Sequence, residues 1–462
     1  MEKKFPGMNT KLLEMLLMSY KFNMNNIYMV GIKGVGMTAM AVYLKEQGKN
    51  VWGSDIDETF PTDSVLREHD IDVSLGFDTE HINDAIDLVI TTGAHGGLTN
   101  IEVGEAQRKK IPVYTQAFEL GHIMESYKHK IAVCGAHGKS TTSAMAAFVL
   151  HGLGLKSSHL IGASRFSGLY GGHYGGDDYL VVEADEYATS PGVDNTARFL
   201  SLDPNIIICT NIDFDHPDVY ASIDEVKAAY LQFFQKLDPQ TGTLIYNGHD
   251  EHCKELVAQL SIKNLIPYYE TDIEITLSIP GRHNKLNAQG IIKLAGVLGI
   301  EQERCLGALQ SFKGVNRRFE KIAEGLYDDY AHHPAELLTT VESARQLLKQ
   351  QNSGKVILIF QPHTFSRTNA LLSEFAQALS GADTAIVLDV FASAREGVSD
   401  QGTSQQVVGE AARQGHQNVT YSTREDLIEK LKKIYQKGDI IVTAGAGSIY
   451  EAHSDIIRGL EL

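Results

Sequence analysis

HKIAVCGAHGKSTT, residues 129–142, is the stretch on which the reading of this chain turns. IAVC has the composition of a buried strand, GAHGK is a glycine-rich turn, and STTSAMAAFVLHGLG, residues 140–154, continues with helical spacing. A strand, a glycine turn and a helix start in that order gather backbone N–H groups and the positive end of a helix dipole, which together receive phosphate oxygens. Gly135 and Gly138 let the backbone approach the ligand, Lys139 reaches the outer phosphates, and Ser140, followed by Thr141, supplies a hydroxyl for Mg²⁺. One feature departs from the usual phosphate loop: its first glycine would fall at Val133 and is displaced to Gly135. The expectation is an ATP site.

Outward from this loop, two further apolar strands end in acids. VVEADEY carries Glu183, Asp185 and Glu186, and TNIDFDHPD carries Asp213, Asp215 and His216. Groups just past a strand sit at its carboxyl end, where open α/β sheets bind ligands. Carboxylates and an imidazole beside a phosphate loop suit Mg²⁺, a hard cation that bridges β- and γ-phosphates. Asp185, Asp213 and Asp218, taken singly, read as helix caps or solvated acids rather than ligands.

A second glycine turn, GIKGVG at residues 31–36, follows the strand IYMV and opens a helix, and Asp55 ends the next strand. These are ingredients of a dinucleotide-type fold, with Gly34 and Gly36 toward a diphosphate and an acid toward a ribose. Lys33 occupies the central glycine position of that fingerprint, so a plain strand–helix turn is the alternative, although its ammonium would favour a nearby diphosphate. A nicotinamide-dependent oxidoreductase is the competing class. It lacks a hydride-transfer constellation here and leaves the loop at 135–142 unexplained.

The rest of the chain repeats the rhythm of apolar strand, turn and amphipathic helix, the mark of parallel sheets with crossover helices. With 462 residues, two or three cores are expected. The division read here is three α/β domains. These are a Rossmann-like N-terminal domain over 1–126, a central ATPase domain with a parallel-rich sheet over 127–315, and a Rossmann-like C-terminal domain over 316–462. Residues 162–176, rich in glycine, read as a mobile loop, residues 1–22 as an extra helix, and GRHNKLNAQGIIKLAGVLGI, residues 281–300, as a helix.

Composition narrows the function. A net charge of −17 argues against a coat for nucleic acid or anionic membrane, which needs clustered Lys and Arg. Four scattered cysteines form no CxxC pair, which suits a reducing cytoplasm. Cys134 and Cys209 lie in apolar strands and read as buried fillers. No apolar run reaches the roughly 20 residues of a membrane span.

Taken together, GAHGKSTT, VEADEY, TNIDFDHPD, GRHNKLN, RRFE, DDYAHHP and PHTFSRT occur in the order seen in the Mur ligases, and the chain resembles that family from Gly31 to Gly447. The resemblance implies an ATP-dependent amide ligase of peptidoglycan synthesis. Its N-terminal domain would hold UDP, its central domain ATP, and its C-terminal domain would close to deliver an amino acid. The substrate carboxylate would attack the γ-phosphate to give an acyl phosphate, which the amino group then displaces. The members it most resembles add L-alanine to UDP-N-acetylmuramate, and these two substrates are the expected partners, in a monomer or homodimer.

Carried over by position, Lys139 and Ser140 would meet phosphates and the first Mg²⁺, Glu183 would bind Mg²⁺, and His216 would hold a second ion. Asn284 would meet adenine, Arg318 and Asp329 phosphate or ribose, and Gly34, Gly36 and Asp55 UDP. His332, His333, His363 and Arg367 would surround the amino acid and the substrate carboxyl. Of the histidine pair, His333 reads as structural because it precedes Pro334, and Arg317 as a surface charge.

Departures from the family pattern are informative. Lys33 stands where the UDP loop has glycine. ATSPGVDNTARFLSLDPN, residues 188–205, is longer than in alanine-adding members and resembles relatives that reattach a murein tripeptide to UDP-N-acetylmuramate. PHTFSRT, and FASARE with Arg395 and Glu396, resemble the alanine adders. Where some members carry a carbamylated lysine this chain reads AAYLQFF, so direct Mg²⁺ ligation is expected.

Overall fold

The computed structural model describes residues 24–214, 219–351, 354–392, 399 and 401–462. The expected helix at 1–22, His216, and Arg395 with Glu396 lie outside the described residues. Among the described residues, three large sheets follow one another along the chain, with a two-stranded hairpin beside the second.

The first is wholly parallel: β1 (Asn26–Val30), β2 (Asn50–Asp55), β3 (Val73–Leu75), β4 (Leu88–Thr91) and β5 (Val113–Thr115), in the order β3-β2-β1-β4-β5. The order reverses between β1 and β4. That switch point leaves a crevice where the 31–34 turn leads into helix Val35–Glu46.

Next come β6 (His129–Cys134), β7 (Ser157–Phe166), β8 (Leu169–His173) and β9 (Tyr179–Glu183), followed by a separate hairpin of β10 (Ala188–Ser190) and β11 (Asp194–Ala197). β12 (Ile206–Cys209), β13 (Thr243–Asn247) and β14 (Asn264–Tyr268) complete a sheet ordered β14-β13-β12-β6-β9-β7-β8, parallel except for the pair β7–β8. Side chains alternate across its plane: Ile131 and Val133 join the core under helices Lys139–Gly152 and Arg282–Val297, while Ala132 and Cys134 join the core on the opposite face. Both faces are covered, and this accounts for continuous apolar runs in these strands.

The third sheet contains β15 (Glu320–Ala323), β16 (Leu326–Asp329), β17 (Val356–Phe360), β18 (Thr384–Val387), β19 (Val419–Tyr421) and β20 (Ile440–Ala444). Its order is β15-β16-β20-β17-β18-β19, and only the edge pair β15–β16 is antiparallel.

Residues 162–176 are not a mobile loop. They form the end of β7, all of β8 and the turn beyond, and their glycines serve close packing. A Cβ on Gly172 would fall 1.8 Å from the Ala39 carbonyl oxygen in helix Val35–Glu46, and one on Gly171 1.9 Å from that of Ala163. The β7–β8 hairpin thereby seats the second domain on the first, and Glu46 adds bonds to His173 Nδ1 (2.8 Å) and Tyr174 N (2.7 Å). One apolar core runs through both domains, whereas the third has cores of its own. Among the described residues no helix is long and apolar enough to cross a membrane.

Candidate active site

All three domains line a single cavity of about 710 Å³. Of the residues expected at a site, Gly34, Gly36, Lys139, Ser140, Glu183, Arg318, His332, His363 and Arg367 reach its wall. Gly135, Gly138, Thr141, Asn284, Asp329 and Asp55 do not line it.

The turn 135–138 is held from behind. His137 N donates to Asn211 Oδ1 (2.8 Å), and the His137 carbonyl accepts from Thr210 Oγ1 (2.6 Å) and Asn211 Nδ2 (2.8 Å). Gly135 has φ +135°, and a Cβ there would fall 2.0 Å from Thr210 Oγ1. Gly138 is left-handed at φ +83° and precedes helix Lys139–Gly152, so the orphan N–H groups of the first turn are held at the cavity. Asn287, rather than Asn284, stands against this turn: a Cβ on Gly138 would lie 3.2 Å from Asn287 Oδ1. Asn284 instead turns its amide to the Pro280 carbonyl at 2.6 Å.

Lys139 Nζ donates to the Gly135 carbonyl (2.8 Å) and pairs with Glu186 (3.0 Å), a buried acid at the end of VVEADE. Ser140 Oγ donates to Glu183 Oε2 (3.2 Å), and Gly162 N donates to Glu183 Oε1 (2.8 Å). Burial, with Asp185 adding to it, pushes the Glu183 carboxyl up to about 7. The Ser140 hydroxyl and the Glu183 carboxylate are adjacent hard oxygen donors, and that donor set fits Mg²⁺.

Across the cavity, Glu336 near the start of helix Pro334–Gln351 collects several groups. Its Oε2 accepts from the backbone N–H of His332 (2.9 Å) and His333 (3.2 Å) and lies 3.2 Å from His332 Nδ1. Oε1 lies 3.6 Å from His137 Nδ1 and 3.7 Å from the Arg318 guanidinium. Burial would raise the Glu336 carboxyl, but His332, His137 and Arg318 outweigh it and hold it well below the usual range. His137 also meets Asp213 through Nε2 at 3.1 Å. The phosphate loop and the third domain are thus joined by a charged contact, with the His333 ring centred 5.0 Å from that of His137.

Arg317 is not a surface charge. It pairs with Asp328 (2.9 Å), donates to the Gly445 carbonyl (2.7 Å) and packs against the rings of Tyr330 and Tyr450. Its backbone φ of +60° turns the chain so that Arg317 points into the third domain while Arg318 is within reach of Glu336. Asp329 lies behind the wall, accepts from Ala331 N (2.9 Å), and is pushed up to about 7 by burial.

On the first domain, Lys33 is directed away from the glycine turn. Its Nζ donates to the carbonyls of Ile56 (3.1 Å) and Glu58 (2.8 Å), and its N–H donates to Asp55 Oδ2 (2.7 Å). The expected lysine–diphosphate contact is replaced by a strap that holds residues 56–60 at the cavity edge. Asp55 is 1% exposed and spends its oxygens on Lys33 N, Ile56 N and His95, so no ribose meets it in this arrangement.

Sequence reasoning missed Gln116, Phe60, Asn287, Glu336 and Tyr450. Four of these line the cavity, and Tyr450 also donates to the Thr59 carbonyl (3.0 Å), bridging first and third domains. Only Glu336 had a usable signal, its place three residues after His333 in a capping pattern.

Comparison with known proteins accounts for most of the chain. Residues 26–128 match the Mur ligase family catalytic domain, 133–268 the Mur ligase middle domain, and 317–447 the Mur ligase glutamate ligase domain. A UDP-N-acetylmuramate–L-alanine ligase of Syntrophomonas wolfei is 35% identical, with 94% of this chain and 97% of that protein covered. Another from Caldicellulosiruptor bescii is 36% identical, with 94% and 99% covered. The crystal structure of a UDP-N-acetylmuramate–alanine ligase from Thermotoga maritima superposes with a TM-score of 0.75 at 26% identity, covering 94% of this chain and 99% of that one. A murein peptide ligase from Psychrobacter arcticus shares the fold, with a TM-score of 0.70 at 21% identity and coverage of 94% and 98%.

Proposed function

We propose, from the premise that this chain belongs to the Mur ligase family, that it joins L-alanine to UDP-N-acetylmuramate with cleavage of ATP to ADP and phosphate, a step of peptidoglycan precursor synthesis in the cytoplasm. The observation that carries the reading is one cavity lined at once by the N-terminus of helix Val35–Glu46, by the phosphate loop and by cationic groups of the third domain. A nucleotide sugar, ATP and an amino acid must meet in such a place. The relatives at 35% and 36% identity, covered over nearly their whole length, bear that substrate pair in their names.

The chemistry follows from the residues. A carboxylate of the nucleotide sugar attacks the γ-phosphorus, ADP departs with the bond pair, and an acyl phosphate remains. The neutral amino group of alanine then adds to the acyl carbon, loses its proton, and phosphate leaves as the amide forms. The first step brings two anions together, so positive groups fixed beforehand lower its barrier. Lys139 swings from Glu186 to the outer phosphates, the first-turn N–H groups of helix Lys139–Gly152 receive the phosphates, and Arg318 meets them from the third domain. Ser140 and Glu183 would hold a first Mg²⁺ and His216 a second, and such ions would offset phosphate charge. His332, His363 and Arg367 receive the amino acid and its carboxylate. Asn284 and Asp329 are assigned to adenine and ribose, which requires each to be uncovered from its present place behind the wall. The three domains correspond to 1–126 for UDP, 127–315 for ATP and 316–462 for the amino acid.

A second reading, ligation of a murein tripeptide, rests on residues 188–205, which hold the hairpin β10–β11 and resemble the corresponding stretch of tripeptide-reattaching relatives. Phosphate release tests the first. It is expected only when UDP-N-acetylmuramate, alanine and ATP are all present, and to fall by about 10²-fold or more in Lys139→Ala without loss of fold. Normal release from that variant would refute the role of the loop.

A further inference from the structure

His137 and Asp213 beside the phosphate loop and His333 of the third domain form a further cluster of donors, and we infer that they bind a divalent transition-metal ion of the Zn²⁺ class, which pins the third domain to the loop. This ion is distinct from the Mg²⁺ proposed for Ser140 and Glu183, and the inference does not rest on the proposed function.

One ligating atom from each of the three residues lies within 4.8 Å of the others. Bonds of about 2.0–2.1 Å place the donors of a tetrahedral Zn²⁺ about 3.3 Å apart. His137 Nε2 and Asp213 Oδ2 are already at 3.1 Å. The set is two imidazoles and one carboxylate, and imidazole nitrogen suits Zn²⁺, Ni²⁺ or Cu²⁺, whereas Mg²⁺ asks for oxygen. Three protein donors leave a fourth position for water or a phosphate oxygen. Two of the donors belong to the second domain and one to the third, so the ion bridges them.

The neighbours of these donors orient them. Glu336 Oε1 faces His137 Nδ1 at 3.6 Å, giving the order carboxylate, imidazole, metal that fixes which ring nitrogen keeps a proton. With the proton on Nδ1, the Nε2 lone pair is turned to the ion. Glu336 is itself fixed by the N–H groups of His332 and His333. Asp213, which reads from sequence as a cap or a solvated acid, commits Oδ1 to Phe214 N (2.8 Å) and directs Oδ2 to His137. Its side chain is 47% exposed and gives an ion access, while His333 is 7% exposed. Binding releases to solvent the proton that lies between His137 Nε2 and Asp213, as ligation by imidazole requires.

The probe is Zn²⁺ alone, titrated into the full chain with Mg²⁺ in large excess and read by competition with a chromophoric chelator. Zn²⁺ should bind and raise the melting temperature. The chain has 18 histidines, so the variants decide where the ion sits. His333→Ala and Asp213→Asn should each bind Zn²⁺ at least about ten-fold more weakly, and Glu336→Gln, which keeps every ligand and loses the carboxylate behind His137, about ten-fold more weakly. Glu183→Gln should leave the Zn²⁺ affinity unchanged. Melting temperatures without Zn²⁺ check that each variant is folded, and Asp213→Asn, at an exposed side chain, keeps the test open if His333→Ala is not. Failure of the wild-type chain to bind Zn²⁺ over Mg²⁺, or wild-type Zn²⁺ affinity in folded Asp213→Asn, overturns the inference. A loss confined to Glu183→Gln would move the ion to the Mg²⁺ donors and overturn it as well.

Discussion

Glu336 shows what a single side chain does between domains. One carboxylate oxygen caps the start of helix Pro334–Gln351 through two backbone N–H groups, and the other faces His137 of the phosphate loop and Arg318. Glutamine keeps an oxygen for the cap and loses the charge. Glu336→Gln should therefore retain its melting temperature while kcat falls about ten-fold, with less change in KM for ATP. Unchanged kcat in initial-rate kinetics would show that the acid serves only as a cap. Lys139, Ser140 and Glu183 were legible because chemistry-bearing residues at strand ends and in a glycine turn have few other uses. Arg317 and Lys33 were misread for a common reason. Sequence places a charge on the chain, but the direction of its side chain depends on carbonyls and aromatic rings brought up by distant segments.

Glu119, in helix Gln116–Met124, makes a different kind of prediction. It is 7% exposed, its Oε2 has no partner among the described residues, and burial, opposed by Lys49, pushes its carboxyl up to about 8. Between its ordinary value of 4.5 and about 8 the folded chain holds a proton that the unfolded chain releases. Stability from this group is thus full below 4.5 and declines as pH rises through that window, by at most about 1.4 kcal/mol per pH unit. Glu119→Gln should raise the melting temperature at pH 8 and have little effect near pH 4.5. An equal effect at both would contradict the buried neutral acid.

At the level of elements, parallel strands and their crossover helices were readable from apolar runs and turn residues. The β7–β8 hairpin was not, because glycine in a strand signals mobility and tight packing alike. Here packing decides: Gly172 lets β8 lie directly on the backbone of Ala39. Gly172→Val should therefore destabilise the protein by about 1–3 kcal/mol or more, read by chemical denaturation, whereas the same change at Gly296, which has open space around it, should act only through helix propensity. Equal losses at the two sites would contradict the seating of the second domain on the first.

Across the whole molecule, the first two domains share a core, while the third meets them through polar contacts such as His137–Glu336 and Tyr450–Thr59. Apolar burial resists separation far more than a few polar contacts, so the third domain is held to the other two less firmly than they are to each other. The negative net charge gains a local meaning from the cavity. A few cations, Lys139 and Arg318 among them, line the cavity within a protein of negative net charge.

What the chain couples to ATP cleavage is tested most directly by offering L-alanine and the murein tripeptide together, with UDP-N-acetylmuramate, ATP and Mg²⁺, and resolving the products by mass. The expected result is UDP-N-acetylmuramoyl-L-alanine, formed in step with ADP and phosphate. Product carrying the tripeptide alone would contradict it.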